Sequence, residues 1–143
     1  MAGARKSYLT FRVARKDLAV EAAQVRGILP LGELVRVPRA RPGLIGVVTL
    51  HGRVVNVVDL AAKLQLPPCR PGSQPKIVVL EVSVNDGGNL AGFVADRVSD
   101  VVVYGPRDLC AGVLRGAGRP RRLIDFNRMV SASDVTEVWA VIP

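Results

Sequence analysis

GVVTLHGRVVNVVDLAAKL, residues 46–64, holds two apolar runs parted by a glycine and closed by an aspartate. The order reads as strand, turn, strand and short helix. A looser copy, GVLRGAGRPRRLIDFNRMV, occupies residues 112–130 and aligns with the first without a gap at an offset of 66. Gly46 falls on Gly112, Gly52-Arg53 on Gly118-Arg119, Val57-Val58-Asp59-Leu60 on Leu123-Ile124-Asp125-Phe126, and Leu64 on Val130. Gly52 and Gly118 mark the turns, where the chain takes a conformation open to glycine. Asp59 and Asp125 each stand directly before a helix-permissive stretch, LAAKL or FNRMV. A carboxylate there can accept the free N–H groups of a first turn. Neither has a second acid or a histidine at working spacing, so both are read as helix caps rather than catalysts.

Working outward, residues 8–13 (YLTFRV) alternate, with Leu9, Phe11 and Val13 on one face and Tyr8, Thr10 and Arg12 on the other, the pattern of a half-buried strand. Residues 15–17 are a polar turn, and Leu18 to Val20 begin the return of a hairpin. Residues 22–24 suit a helical turn, 25–29 an extended piece ended by Pro30, and 35–38 another short extended piece. Residues 67–75 hold four of the ten prolines and read as a surface loop. A second long strand over 76–84 is closed by a hairpin turn at 85–88, and 90–94 return. A second echo then appears, since LAVEAAQVRGI at 18–28 has the outline of AGFVADRVSDV at 91–101, at an offset of 73. Each half thus runs hairpin, short turn, edge piece and doubled unit.

Units this short cannot bury an apolar face alone. The expected fold is all-β with a few short helices, two small β-barrels packed on a shared apolar core within a single domain, 1–143. Residues 1–7 read as a flexible basic N-terminus. In 131–143, Asp134 and Glu137 suggest a boxed helix start, with Val135, Val138, Trp139 and Ile142 at helical spacing, while VWAVI fits a strand equally well.

The chain has 143 residues, one domain's worth, and is 49% hydrophobic with only six aromatics, so Val, Leu, Ile and Ala must fill the core. That favours strands. Cys69 and Cys110 lie far apart with no CxxC, and His51 is the only histidine, so neither a metal centre nor a cofactor is expected. No secretion signal and no run of 18 uncharged apolar residues occurs, which points to a cytoplasmic protein without a membrane span. The net charge of +8 admits nucleic acid as an alternative partner, with Arg36, Arg39 and Arg41 and then Arg115, Arg119, Arg121 and Arg122 as the densest groups. Against it, the basic residues are scattered and stacking aromatics are scarce. No catalytic constellation can be assembled from one histidine and scattered acids, so no enzyme is expected.

Three segments together resemble the CheW-like family of chemosensory adaptors: Val25-Arg26-Gly27-Ile28, residues 46–60, and residues 92–101. The resemblance implies two SH3-like five-stranded barrels and a non-catalytic scaffold that joins a chemoreceptor tip to a CheA-type histidine kinase, in rings with other CheW-like proteins. It places a receptor groove near Val25, Gly27, Ile28, Leu50, His51, Gly52 and Val98. The chain departs from the family pattern at Gly27 (commonly Glu), Thr49 (Asn), His51 (Arg) and Asn56 (Pro). It is also about ten residues shorter than typical members between Val103 and Leu123, which implies a reduced second barrel and weakened kinase coupling.

Overall fold

The computed structural model describes residues 5–37, 43–67, 74–83, 88–116 and 118–135. Within them the first half of the chain forms a hairpin, β1 (Lys6–Val13) and β2 (Lys16–Glu21), an edge strand β3 (Val25–Pro30), and the doubled unit β4 (Leu44–Leu50), β5 (Arg53–Val58) and helix α1 (Leu60–Lys63). The second half repeats the series with the hairpin β6 (Lys76–Val82) and β7 (Asn89–Ala95), the edge strand β8 (Arg97–Tyr104), a short β9 (Leu109–Cys110), and the unit β10 (Val113–Leu114), β11 (Arg121–Leu123) and α2 (Phe126–Met129). A last turn of helix, α3, covers Ala132–Val135.

The halves exchange their parts. One sheet has the order β8-β1-β2-β11-β10-β9 and the other β3-β6-β7-β5-β4, so each hairpin takes its edge strand and its doubled unit from the opposite half. Both sheets must curl. Five spacings of about 4.8 Å would part the edges of a flat six-stranded sheet by about 24 Å. The five Cα steps from Tyr104 to Leu109 that join those edges span at most about 17 Å. In the five-stranded sheet the closure is explicit, because Val35, just past β3, bridges Val47 of β4.

Strand register reproduces both sequence offsets. Val47↔Asn56 and Val48↔Val55 in one unit correspond to Val113↔Arg122 and Leu114↔Arg121 in the other, 66 residues on. The parallel joins Asn56↔Ala91 and Val57↔Gly92 correspond to Arg122↔Leu18 and Leu123↔Ala19, which applies the 66 and 73 offsets together. The edge strands carry the same bulge, since Val25↔Leu80 followed by Ile28↔Val78 matches Val98↔Phe11 followed by Val101↔Leu9. The second ladder is the shorter, with two pairs against six, and its tip is lost. The pairs matching Thr49↔Val54 and Leu50↔Arg53 are absent, and Pro120, which has no N–H for a ladder, stands where Val54 would be. The second barrel therefore keeps its strands but shortens three of them to two or three residues. It counts six strands rather than five because Leu109–Cys110 pairs twice where Val35 bridges once.

Each sheet is apolar on both faces. Leu9, Phe11, Leu18 and Val20 on one hairpin meet Val78, Leu80, Ala91 and Phe93 on the other in a shared core. All three phenylalanines lie there, with Phe11 4.9 Å from Phe93 and Phe93 5.3 Å from Phe126. The inner faces fill the barrels, Val48, Leu50, Val55, Val57, Ile77 and Val79 in one and Tyr8, Ala19, Tyr104 and Leu114 in the other. Residues 8–13 are consequently not half-buried, because Tyr8 and Thr10 face a barrel interior while Leu9 and Phe11 face the shared core. The strand also begins earlier than the sequence suggests, taking in Lys6 and Ser7.

The β1–β2 turn falls at Ala14 and Arg15, both at positive φ (49° and 67°), one step before the expected 15–17. Asp96, between β7 and β8, accepts the Ala14 N–H at 2.8 Å and fixes that turn. Of the two expected caps, Asp59 accepts from the Ala62 N–H at 3.2 Å. Asp125 occupies the equivalent position but makes no side-chain cap; its exposed carboxylate turns to Arg128 at 3.7 Å instead. The loop segment 68–73, the hairpin tip 84–87 and the C-terminal residues 136–143 lie outside the described residues, as do Cys69 and most of the basic group at 36–41.

The C-terminal helix starts earlier than Asp134. Ser131 leads it, and Asp134 reaches back to the Ser131 N–H at 2.9 Å, so the box is Ser131 with Asp134 rather than Asp134 with Glu137. This turn packs against β5 and β7. Asn56, buried in β5, donates its amide to the Asp134 carbonyl at 2.8 Å, and Lys63 at the end of α1 pairs with the Asp134 carboxylate at 2.8 Å. Burial alone pushes the Asp134 carboxyl up, but the Lys63 and Ser131 hydrogen bonds and the Lys63 charge outweigh it and hold the group below its ordinary 3.8.

Two expectations follow. Thr10 is fully buried, and its hydroxyl donates to the Asp100 carbonyl at 2.8 Å and accepts from the Asp100 N–H at 3.1 Å, clamping the β8 bulge. Thr10→Val should lower unfolding free energy in urea by about 1–2 kcal/mol, with Thr10→Ser costing less. A carboxyl with a depressed folded pKa stabilises fully above its unfolded value and loses that contribution as pH falls through the folded one. The Asn56 side-chain amide resonance should therefore hold steady down to the ordinary carboxyl value of 3.8 and shift only below it, and Asp134→Asn should abolish that step. A midpoint above that value would refute the assignment.

Candidate functional site

Among the described residues β3 pairs only with β6 and β8 only with β1, so each leaves one side of its backbone open at a sheet edge. Each edge strand is also bent by its bulge, which re-aims the side chains on either side. Val25 and Val98, just before the bulges, lean on the shared core. Ile28 and Val101, just after them, point outward and are 43% and 59% exposed. Val103 continues the outward row on β8 at 49%.

Beside β3 lies the β4–β5 turn. Leu50 faces Arg53 across a two-residue loop, with His51 at φ 49° and Gly52 at φ 76°. Two left-handed residues in succession define the turn that matches strand twist, and histidine tolerates that conformation better than a β-branched residue. His51 is exposed, while Leu50 is only 8% exposed and belongs to the core of its barrel. The Leu50 side chain lies over Gly27, where an added Cβ would come within 3.0 Å of its Cδ1. Next to it Arg26 pairs with Glu81 and donates to the Ala23 carbonyl at 2.6 Å, tying β3 to β6.

Of the seven residues expected in a groove, the structure brings Val25, Gly27, Ile28, Leu50, His51 and Gly52 together on β3 and the adjacent turn. Val98 stands on the other sheet, at the counterpart of Val25. Leu50 supports the turn from inside and presents little surface of its own. Val101 and Val103 were missed, although the offset of 73 carries Ile28 onto Val101 and could have found the first of them.

Exposed apolar side chains on an open strand edge suit protein docking. Among the described residues no group of three His, Cys, Asp or Glu could hold a metal ion. Cys110 is a free, exposed thiol. The basic group in the second unit does not form one surface, since Arg121 turns inward to the Tyr104 hydroxyl at 2.9 Å and Arg119 lies 3.7 Å from Asp17. All five described aromatic rings are buried, leaving no stacking platform for single-stranded nucleic acid among the described residues. No helix among them is long and apolar enough to cross a membrane.

Comparison with known proteins converges on one family. A family profile described as "CheW-like domain" matches residues 7–133. The chain is 28% identical over 104 residues to the chemotaxis protein CheW of Rhizobium meliloti, covering 73% of this chain and 64% of that protein. It is 28% identical over 97 residues to the probable chemotaxis protein CheW of Rhizobium etli, covering 68% and 60%, and 29% identical over 94 residues to that of Bacillus subtilis, covering 66% and 58%. The matched stretch thus spans about three-fifths of these relatives' length. In fold, the chain superposes on the crystal structure of the scaffolding protein TtCheW from Thermoanaerobacter tengcongensis with a TM-score of 0.78 at 14% identity, over 94% of this chain and 99% of that one. With the profile covering most of the sequence, the chain belongs to the CheW-like domain family, and its double-barrel fold agrees.

Proposed function

We propose that this protein is a non-catalytic adaptor of a bacterial chemosensory array. It docks the cytoplasmic tip of a chemoreceptor along β3 and the His51-Gly52 turn, with Val98 and Val101 on β8 contributing from the other sheet. The observation that carries the reading is the outward pair Ile28 and Val101, exposed apolar residues at matching positions beside matching bulges. Desolvating such residues at the centre of a contact supplies most of its affinity. The protein works in the cytoplasm and sits in rings with other CheW-like proteins. Relatives named for chemotaxis and a structural neighbour named as a scaffold support this role.

Coupling to a CheA-type kinase is weakened in this reading. The support is the shortened β10–β11 hairpin, which ends at Leu114↔Arg121 and removes the tip that the first unit keeps at Leu50↔Arg53. A family member with both hairpins full offers a second barrel surface that this chain lacks.

Calorimetric titration against a receptor-tip fragment and against the kinase regulatory domain tests both parts. The receptor fragment should bind, and Ile28→Ser or Val101→Ser should each weaken it about tenfold, or roughly 1.4 kcal/mol. Gly27→Glu should also weaken it, because the new side chain must displace Leu50. Kinase-domain affinity should fall at least about tenfold below that of a full-length-hairpin adaptor. No receptor binding would end the adaptor reading, and kinase binding at full strength would end the claim of weakened coupling.

A further inference from the structure

Leu64 and Leu66, past the end of α1, line a cavity of about 500 Å³ together with residues of the β1–β2 turn, β2, β10 and β11. Its apolar part is Leu18, Leu64, Leu66 and Val113. Arg15, Lys16, Arg115 and Arg122 line it with Pro120 and Asp17, and none of these four cations has an ion-pair partner among the described residues. The single acid in the lining, Asp17, is already held by Arg12 at 3.1 Å and Arg119 at 3.7 Å. Four uncompensated cations around an apolar floor form a receptor for an anion that also brings apolar surface.

We propose that this cavity binds an acidic peptide segment of a partner protein, a short stretch in which a carboxylate adjoins an apolar side chain. The other half of the molecule shows the occupant such a position takes. The offset of 66 carries Arg122 back to Asn56, Val113 to Val47, and Leu64 forward to Val130, while the offset of 73 carries Leu18 to Ala91. At that counterpart position α3 packs against β5 and β7. There Asn56, the counterpart of Arg122, donates to the Asp134 backbone carbonyl, Lys63 of α1 holds the Asp134 carboxylate, and Val135 leans on the shared core. An acid followed by an apolar residue is thus what fills the site in one half.

In the other half the receiving residue is Arg122 instead of Asn56, and cations ring the space. The chain cannot supply the acid from the same direction, since residues 65–73 (QLPPCRPGS) hold none. An acidic occupant must come from another segment or another molecule. The apolar floor and the lack of an exposed ring among the described residues favour a peptide over a nucleic-acid strand. This inference concerns a different surface from the receptor edge and stands independently of the adaptor reading.

The test is fluorescence anisotropy on the full chain at low ionic strength, with a labelled eight-residue peptide of alternating aspartate and valine. The peptide should bind, its asparagine–valine analogue should not, and added salt should weaken the complex. The double variant Arg115→Gln, Arg122→Gln should lose at least about tenfold in affinity, the double Arg→Lys variant should retain most of it, and Arg128→Gln, on exposed α2, should leave it unchanged. Circular dichroism should show all variants folded, because Arg115 and Arg122 are exposed. Amide shifts on binding should centre on Leu18, Leu64 and Leu66. No peptide binding, binding that survives the double glutamine change, equal loss in Arg128→Gln, or displacement by single-stranded DNA of equal charge at lower concentration would each overturn the proposal.

Discussion

Everything in this fold depends on the contact between its two hairpins, in which Phe11, Phe93 and Phe126 stack in one chain of rings. An aromatic triplet of this kind combines large buried area with a preferred geometry. Phe11 comes from the first hairpin, Phe93 from the second and Phe126 from the last unit, so the contact cannot form from either half alone. The exchange of edges and units reinforces this, since neither barrel is continuous in sequence. The two barrels are one cooperative body, and their pairings are mostly long-range, the arrangement that slows folding because loop closure precedes its reward.

The same constraint positions the edges. A hairpin that is apolar on both faces must be covered on both, by its own barrel interior and by the opposite hairpin. The edge strands lie at the rim of that cover, so the residue before each bulge still reaches the core while the residue after it does not. Val25 and Ile28 behave this way on β3, and Val98 and Val101 on β8. The docking edge is therefore a by-product of where the shared core runs out. The bulge sharpens the change from buried to exposed within three residues.

Much of this was legible in the sequence because duplication leaves offsets, and offsets survive where side chains drift. The 66-residue and 73-residue echoes recur in the strand register wherever the second unit keeps its ladder. The exchange between halves was not legible, since an offset says which segments are alike and not which of them pair. Period-two reading also failed for residues 8–13, because it assumes that one face of a strand meets water, and here polar Thr10 faces inward to hold a backbone bulge. The cap bond expected at Asp125 and the helix start expected at Asp134 failed for a related reason. An acid before a helix can serve the backbone or a neighbouring cation, and only the surroundings decide between them. Of the residues expected around a groove, Leu50 presents little surface because it packs over Gly27, a fit that apolar spacing does not reveal.

Where the halves differ, the differences fall on one side. Thr10 clamps one bulge, while its counterpart Val79 faces Gly27 without a hydroxyl. Val54 continues one hairpin and Pro120 stops the other. Asn56 receives α3, and Arg122 lines an open cavity. A pair of equivalent barrels held by one core needs only the core residues to match, so the surfaces are free to specialise separately. In this chain the first unit has kept its long hairpin and an apolar edge, while the second has given up strand length and gathered arginines. Selection for two different contacts explains that division better than simple decay. Decay alone gives no reason for Arg115 and Arg122 of this unit, neither with an ion-pair partner among the described residues, to line one apolar floor.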